Sequence, residues 1–254
     1  MRVLVCVKRV PAPGARIVIA PDGRSLDTAH LGFTMSPHEE CAVEEAVQIV
    51  ERERGHATVL TVGPEASEEQ LRYAVSLGVG GAALVRTDGS DRDPQHTAVE
   101  IVQAVRRLEE RDGIFDLILF GNESADAGGF QVGIRTARAL GRPVVNGVKK
   151  LEFADGSLLA RRPFDGGFEE YRLPLPAVVG VKEGLNLPRY PTLKGRLASK
   201  KVEVEIVEAT GGKGGLRMLG FRPPREQVSE TVILGHGPEA APKVVEILAE
   251  IGVL

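Results

Sequence analysis

The sequence predicts an α/β protein built on a mostly parallel, doubly wound sheet, extended by antiparallel strands and followed by a C-terminal arm and helix. Three observations carry this expectation. Strand and helix patterns alternate through the first 145 residues, the order that yields a parallel sheet with helices on both faces joined by right-handed crossovers. The opening run RVLVCV is apolar almost without interruption, as a strand buried on both faces requires. After Val144 the pattern changes to short strands punctuated by Asp155-Gly156 and Asp165-Gly166-Gly167, the turn chemistry of hairpins.

Arg2–Val7 reads as the first strand. Arg16–Ala20 is a short β-branched run ending at Pro21-Asp22-Gly23, a hairpin or an edge excursion. Ser36-Pro37-His38-Glu39 then starts a helix with a capping serine, proline at the first position and glutamate at the third. Val43, Ala46, Val47 and Val50 continue it at helical spacing as far as Gly55. Thr58–Val62 is a strand, and Ser67–Gln70 is a second capping box opening a helix that ends near Gly78. Ala82–Arg86 is the next strand. Asp93-Pro94 opens a helix carrying Val99, Val102 and Val105, Asp116–Phe120 is a strand, and a helix over 131–140 stops at Gly141. Val148–Phe153, Leu158–Ala160, Glu169–Leu173 and Ala177–Val181 are the short strands expected to pair as hairpins. Val202–Val207 precedes the glycine-rich 211–215, then Pro223-Pro224 and a last helix over 240–251. The stretch 208–236 is too poor in periodic apolar residues to form its own core, so it is either a flexible linker or an arm that crosses onto something else. The expected division is an α/β domain over 1–207 and an arm with its helix over 208–254.

Composition narrows the function. The 254 residues suffice for one large domain, or a domain plus an extension. A formal charge of −3 argues against a general nucleic-acid binder, which would be basic over a whole face. Cys6 and Cys41 are the two cysteines, too few for a disulfide framework or a four-thiolate metal site, so a reducing compartment is expected. The N-terminal apolar run passes straight into charge without a cleavage site and reads as a strand, not a targeting peptide. No apolar run approaches the ~20 residues that would insert into a bilayer. Tryptophan is absent and aromatics are 4%, so Val, Leu, Ile and Ala must build the core.

In an open parallel sheet, ligands bind beyond the carboxyl ends of the strands. Four segments fall there: Cys6–Arg9, Ser36–Glu39, Val62–Pro64 and Gly121–Val132. The last, GNESADAGGFQV, leaves a buried strand and feeds a helix whose first N–H groups lack partners, so it can hold a phosphate. It matches neither G-x-G-x-x-G nor a Walker A loop, and a plain strand-to-helix loop is the alternative. Glu39, Glu40, Glu44 and Glu45 lie early in a helix, where capping and solvation account for them better than acid–base work. His30, His56, His96 and His236 share no ligand spacing with each other or with the cysteines, so no metal site is expected. No serine stands in a nucleophile-elbow context. The chain lacks a catalytic constellation of its own and is not expected to be an enzyme.

Residues 185–201, LNLPRYPTLKGRLASKK, are unusual. Leu193 and Leu197 stand among Arg189, Lys194, Arg196, Lys200 and Lys201 without a sustained helical or strand period. Leucines among cations on a surface segment point to a protein partner.

Stretches in order are similar to the electron transfer flavoprotein beta subunit family: VLVCVKRV (3–10), MSPHEECAVEEAV (35–47), VGP (62–64), GNESADAGGFQVG (121–133), DGGFEEYRLPLPAVVGV (165–181) and LNLPRYPTL (185–193). The resemblance implies a Rossmann-like, adenine-nucleotide-hydrolase-like fold and a heterodimer whose alpha subunit holds most of a redox-active FAD. It implies that this chain binds AMP structurally through Cys6, Ser36, Pro37, His38, Glu39, Val62 and the loop Gly121, Asn122, Glu123, Ser124, Ala125, Asp126, Ala127, Gly128, Gly129, Phe130, Gln131 and Val132. Asp126, Gln131 and Val132 are favoured within that loop. It also implies a recognition loop over 183–201 in which Leu193, flanked by Lys200 and Lys201, anchors acyl-CoA and related dehydrogenases. Electrons would pass on to a membrane quinone oxidoreductase, the chain itself remaining cytoplasmic, and the last helix would pack on the alpha subunit. The chain departs from the family pattern at Pro13, where many relatives place a flavin-contacting tyrosine, at Pro163, and in the DAGGFQVG loop; His38 is the leading candidate for a flavin contact. Two alternatives stand beside this reading: a bifurcating-type subunit with a second FAD and NADH chemistry, and an adenine-nucleotide hydrolase.

Overall fold

A computed structural model describes residues 1–90, 92–154, 156–211, 214–224 and 231–254. Lys213 and Asp155, in the expected glycine-rich and hairpin turns, therefore lie outside the described residues. The described chain forms two units, Met1–Gly220 and Phe221–Leu254.

The first unit begins with β1 (Arg2–Cys6), then a short antiparallel pair, β2 (Val10–Pro11) and β3 (Phe33–Thr34). Between them the Arg16–Ala20 run makes an isolated bridge, Ile19 to Leu26, in place of a full hairpin. Helix α1 (Pro37–Glu53), strand β4 (His56–Gly63), helix α2 (Glu68–Leu77) and strand β5 (Gly81–Arg86) follow. Next come α3 (Pro94–Asp112), β6 (Leu117–Gly121), α4 (Val132–Leu140) and β7 (Val144–Val148). Strands β8 (Lys150–Ala154), β9 (Ser157–Phe164), β10 (Gly167–Pro174) and β11 (Ala177–Val181) precede α5 (Leu193–Lys201) and β12 (Val204–Glu208).

Seven strands form one parallel sheet in the order β12–β5–β4–β1–β6–β11–β7. Alternate side chains of β1 serve opposite faces. Val3 and Val5 join a core with α1 and α2, while Leu4 and Cys6 join a second core with α3 and α4. The sheet is thus doubly wound, and the chain reverses its direction of growth between β1 and β6. Such a switch point opens a crevice at the carboxyl ends of the strands.

The antiparallel strands make their own sheet, β10–β9–β8, instead of lengthening the parallel one. Their partial, one-sided burial suits a two-layer arrangement, and Arg161 and Arg162 pair across it with Glu170 and Glu169. Ala177–Val181, expected among the hairpins, is instead a central parallel strand between β6 and β7; all five of its residues are buried, as that place demands. The expected capping box at Ser67 also differs. A 3-10 turn over Glu65–Ser67 precedes α2, so Ser67 has helical backbone angles and its N–H donates to the Pro64 carbonyl.

The largest departure is α5. Residues read as aperiodic form a helix capped by the Thr192 hydroxyl, which accepts from the Gly195 N–H at 3.0 Å. Its contact with α2 runs through small residues: a Cβ on Gly195 would collide with the Ser76 carbonyl oxygen, and Ser199 is buried. After β12 the chain is strapped along α3, where the buried Glu100 carboxylate accepts from the Thr210 and Gly211 N–H groups and Asp93 accepts from those of Gly215 and Leu216.

The second unit holds a 3-10 turn over Gly237–Ala240 and helix α6 (Ala241–Glu250), close to the expected last helix. Val245, Ile251, Val253 and Leu254 of this unit are exposed.

Candidate functional site

The first turn of α1 and the loop after β6 meet at the switch point. Ser36 caps α1: its hydroxyl accepts from the Glu39 N–H at 3.2 Å, and its own N–H donates to Glu39 Oε2 at 2.9 Å. Pro37 occupies the first helical position, so its missing N–H costs nothing there. The Ser36 hydroxyl also donates to the Glu123 carbonyl at 3.3 Å, tying the helix start to the loop. Gly121 makes the close approach possible, because a Cβ there would stand 2.6 Å from Glu39 Cγ.

Between them lies a cavity of about 390 Å³ lined by Ser36, Pro37 and His38 on one side and Glu123, Ser124, Ala125, Asp126, Ala127 and Gly128 on the other. This volume is in the range of small-molecule sites, roughly 300–1,000 Å³. Lys8, just beyond β1, reaches the cavity wall and donates to both Asp126 oxygens at 2.8 and 2.7 Å. Burial alone would raise the Asp126 carboxyl, but Lys8 and the local hydrogen bonds outweigh it and hold the group below its ordinary range. His38 Nδ1 accepts from the Glu183 N–H at 2.8 Å, which leaves the ring proton on Nε2, 3.4 Å from Glu123 Oε1. Asp126 therefore faces a cation and Glu123 a neutral ring N–H, and the helix start and the small apolar side chains complete a mixed lining. Such a lining can take a small polar ligand, with the N-terminus of α1 offered to an anionic group and Pro37, Ala125 and Ala127 to an apolar one.

Behind this wall, burial pushes Glu39 up to about 7 against the opposing hydrogen bonds of Ser36 and the charge of Lys8. Burial, reinforced by Glu39, likewise pushes the Cys6 thiol well above its ordinary range, which disfavours the reactive thiolate. Cys6 ends β1 and Val62 lies one residue before the end of the neighbouring β4, both at the carboxyl edge of the sheet without lining the cavity. Asn122 continues β6 by donating to the Val181 carbonyl, and Gly129 approaches Pro94 at the head of α3. Phe130 is half exposed with φ of 54°, and Gln131 caps no N–H but accepts from Arg135 before Val132 starts α4.

Lys8 was missed by sequence reasoning, which singled out Cys6 in the same segment. The available signal was a cation placed directly after a buried strand that ends at the switch point. The carboxylates of α1 also need correction. Glu39, Glu44 and Glu45 are buried, not solvated, because the 186–189 segment covers Glu44 and Glu45 and the Gly121 turn covers Glu39.

The second predicted region is exposed as expected. Leu187, Tyr190 and Leu193 are 89%, 90% and 77% exposed, and Lys200 and Lys201 stand on the surface of the same helix end.

An open parallel sheet with a crevice at its strand-order reversal defines a doubly wound α/β protein. Comparison with known proteins makes this specific. Residues 25–211 match the electron transfer flavoprotein domain family. The chain is 32% identical to the electron transfer flavoprotein subunit beta of Bacillus subtilis, across 98% of this chain and 97% of that protein. The proteins of the same name from Syntrophomonas wolfei and Homo sapiens are 32% and 31% identical, across 97% and 82% of this chain and 95% and 81% of theirs. The chain belongs to the electron transfer flavoprotein beta subunit family. Among the described residues, no helix is long and apolar enough to cross a membrane, and no group of three or more His, Cys, Asp or Glu could hold a metal.

Proposed function

We propose that this chain is the beta subunit of a heterodimeric electron transfer flavoprotein, an electron carrier without catalytic residues of its own. It binds AMP structurally in the crevice between α1 and the Gly121–Val132 loop. It helps hold an FAD carried mainly by the alpha subunit, and the flavin supplies the electron-accepting chemistry. Acyl-CoA and related dehydrogenases dock on the 183–201 segment through Leu193, with Lys200 and Lys201 steering acidic surfaces toward it, and the electrons leave through a membrane quinone oxidoreductase. The unit from Phe221 onward serves as the arm toward the alpha subunit, and the complex works in the cytoplasm.

The observation that carries this reading is the formed cavity of about 390 Å³ at the switch point, with Lys8 at its wall. Purification with the alpha partner should yield a yellow complex. Extracting the nucleotide bound to this chain and weighing it by mass spectrometry should return AMP. Recovery of a second FAD would replace the structural-AMP role with the bifurcating type, and a complex with no adenylate would end the reading. Leu193→Ala should slow reduction by a dehydrogenase at least about tenfold, as loss of one buried anchor does, while flavin content and assembly stay unchanged. Failure to assemble would assign the segment a structural role instead.

A further inference from the structure

The exposed segment is held from beneath by helix α1. Glu44 and Glu51 lie two turns apart on one face of that helix, and both accept from Arg189. Arg189 Nε donates to Glu44 Oε2 at 2.9 Å and Nη2 donates to Glu44 Oε1 at 3.0 Å. Nη1 and Nη2 donate to the two Glu51 oxygens at 2.7 and 3.0 Å, and the Arg189 backbone N–H adds a bond of 3.1 Å to Glu44. One planar cation is thus forked onto two carboxylates and tied to one of them through its own backbone. Three residues earlier, Asn186 Nδ2 donates to the Cys41 carbonyl at 3.0 Å and to Glu45 Oε2 at 3.1 Å. The Glu44 half of the clasp is buried, with Glu44 2% exposed, while Glu51 closes it at the surface and Leu187, Tyr190 and Leu193 on either side of Arg189 point into solvent.

Stability alone does not account for such a clasp. A buried ion pair is often matched or exceeded by an apolar pair of similar volume. What two bidentate forks add is orientation, since a guanidinium meets a carboxylate in a fixed plane and an ammonium does not. Burial would raise Glu44, yet the Arg189 and Gln48 hydrogen bonds more than compensate and keep it ionised.

We infer that Arg189, clamped by Glu44 and Glu51, is a positioning residue for dehydrogenase docking: it fixes the direction in which Tyr190–Leu193 leave the surface. The inference rests on the docking role proposed above. A segment already held in its docking shape loses little freedom when a partner arrives, so tight capture needs no reordering. Lysine at 189 keeps the charge and loses the forks.

The test uses the intact heterodimer with an acyl-CoA dehydrogenase that reduces the wild type, comparing Arg189→Lys, Leu193→Ala, the double variant and Glu51→Gln. Arg189→Lys should raise KM for the heterodimer about tenfold through lost preorganisation, with kcat, flavin content and melting temperature held. Amide exchange over 186–192 should quicken. The Arg189→Lys effect should vanish in the Leu193→Ala background, because both act on one docking event. If Leu193→Ala raises KM and Arg189→Lys does not, or if the two effects add fully, the positioning role is overturned and the docking reading stands. If Leu193→Ala leaves KM unchanged, both fall. Should Arg189→Lys unfold the chain, Glu51→Gln decides: an intermediate rise in KM supports the role, and an unchanged KM overturns it.

Discussion

Glu39 is the residue on which the crevice is most sensitively balanced. Its carboxylate closes the α1 cap through the Ser36 N–H, yet it sits buried behind Gly121. The folded state therefore holds its proton more tightly than the unfolded chain, with a value raised from 4.5 to about 7. An acid raised on folding favours the folded state most fully below its unfolded value, and that contribution fades as pH rises through the folded one. Wild-type stability should thus decline between about pH 4.5 and 7 relative to Glu39→Gln, which cannot ionise and can still accept from Ser36. The difference should be on the order of 1–3 kcal/mol across that window, at about 1.4 kcal/mol per tenfold change in proton affinity. Urea denaturation of both proteins at pH 5 and pH 8 measures it, and parallel pH slopes would remove Glu39 from this role.

At the scale of elements, α5 shows how a helix can be mounted without an apolar stripe. Its leucines face solvent, and it seats on α2 where Gly195 leaves room for the Ser76 carbonyl. Gly195→Val should therefore push α5 off α2, costing about 1–3 kcal/mol by overpacking. The same variant should impair the proposed dehydrogenase docking, while the crevice proposed for the nucleotide, built on other elements, keeps its ligand. Differential scanning calorimetry and nucleotide content together check this; an unchanged melting profile would refute the close packing. The absence of an apolar stripe is also why the helix was illegible in the sequence. Leu193 and Leu197 supply one helical pair among charges, and the residues that pack are a glycine and a serine, to which hydrophobic periodicity is blind.

For the whole molecule, every strand among the described residues and both cores lie within Met1–Gly220. Cutting the chain after Gly220 should leave a cooperatively folding unit that retains its nucleotide and fails to co-purify with the alpha partner. Analytical size exclusion with the partner, alongside thermal melting, tests both halves of the expectation. An aggregated product would show that the residues from Phe221 onward are needed for folding, contrary to the proposed arm.

Local chemistry decided much of this protein in advance. The all-apolar RVLVC, the Ser36-Pro37-x-Glu39 start and the Asp93-Pro94 start each need only their own residues, so β1, α1 and α3 were legible one by one, as was the crevice at the carboxyl ends of the strands. Pairing across long separations was left to the tertiary structure. Ala177–Val181 chose a parallel place between β6 and β7, the hairpin strands formed a separate sheet, Lys8 met Asp126 across 118 residues, and Arg189 met Glu44 across 145. A cap is an interaction within four residues and leaves a pattern. A salt bridge between distant segments leaves none, because any exposed lysine or arginine reads the same until the fold brings its carboxylate to it.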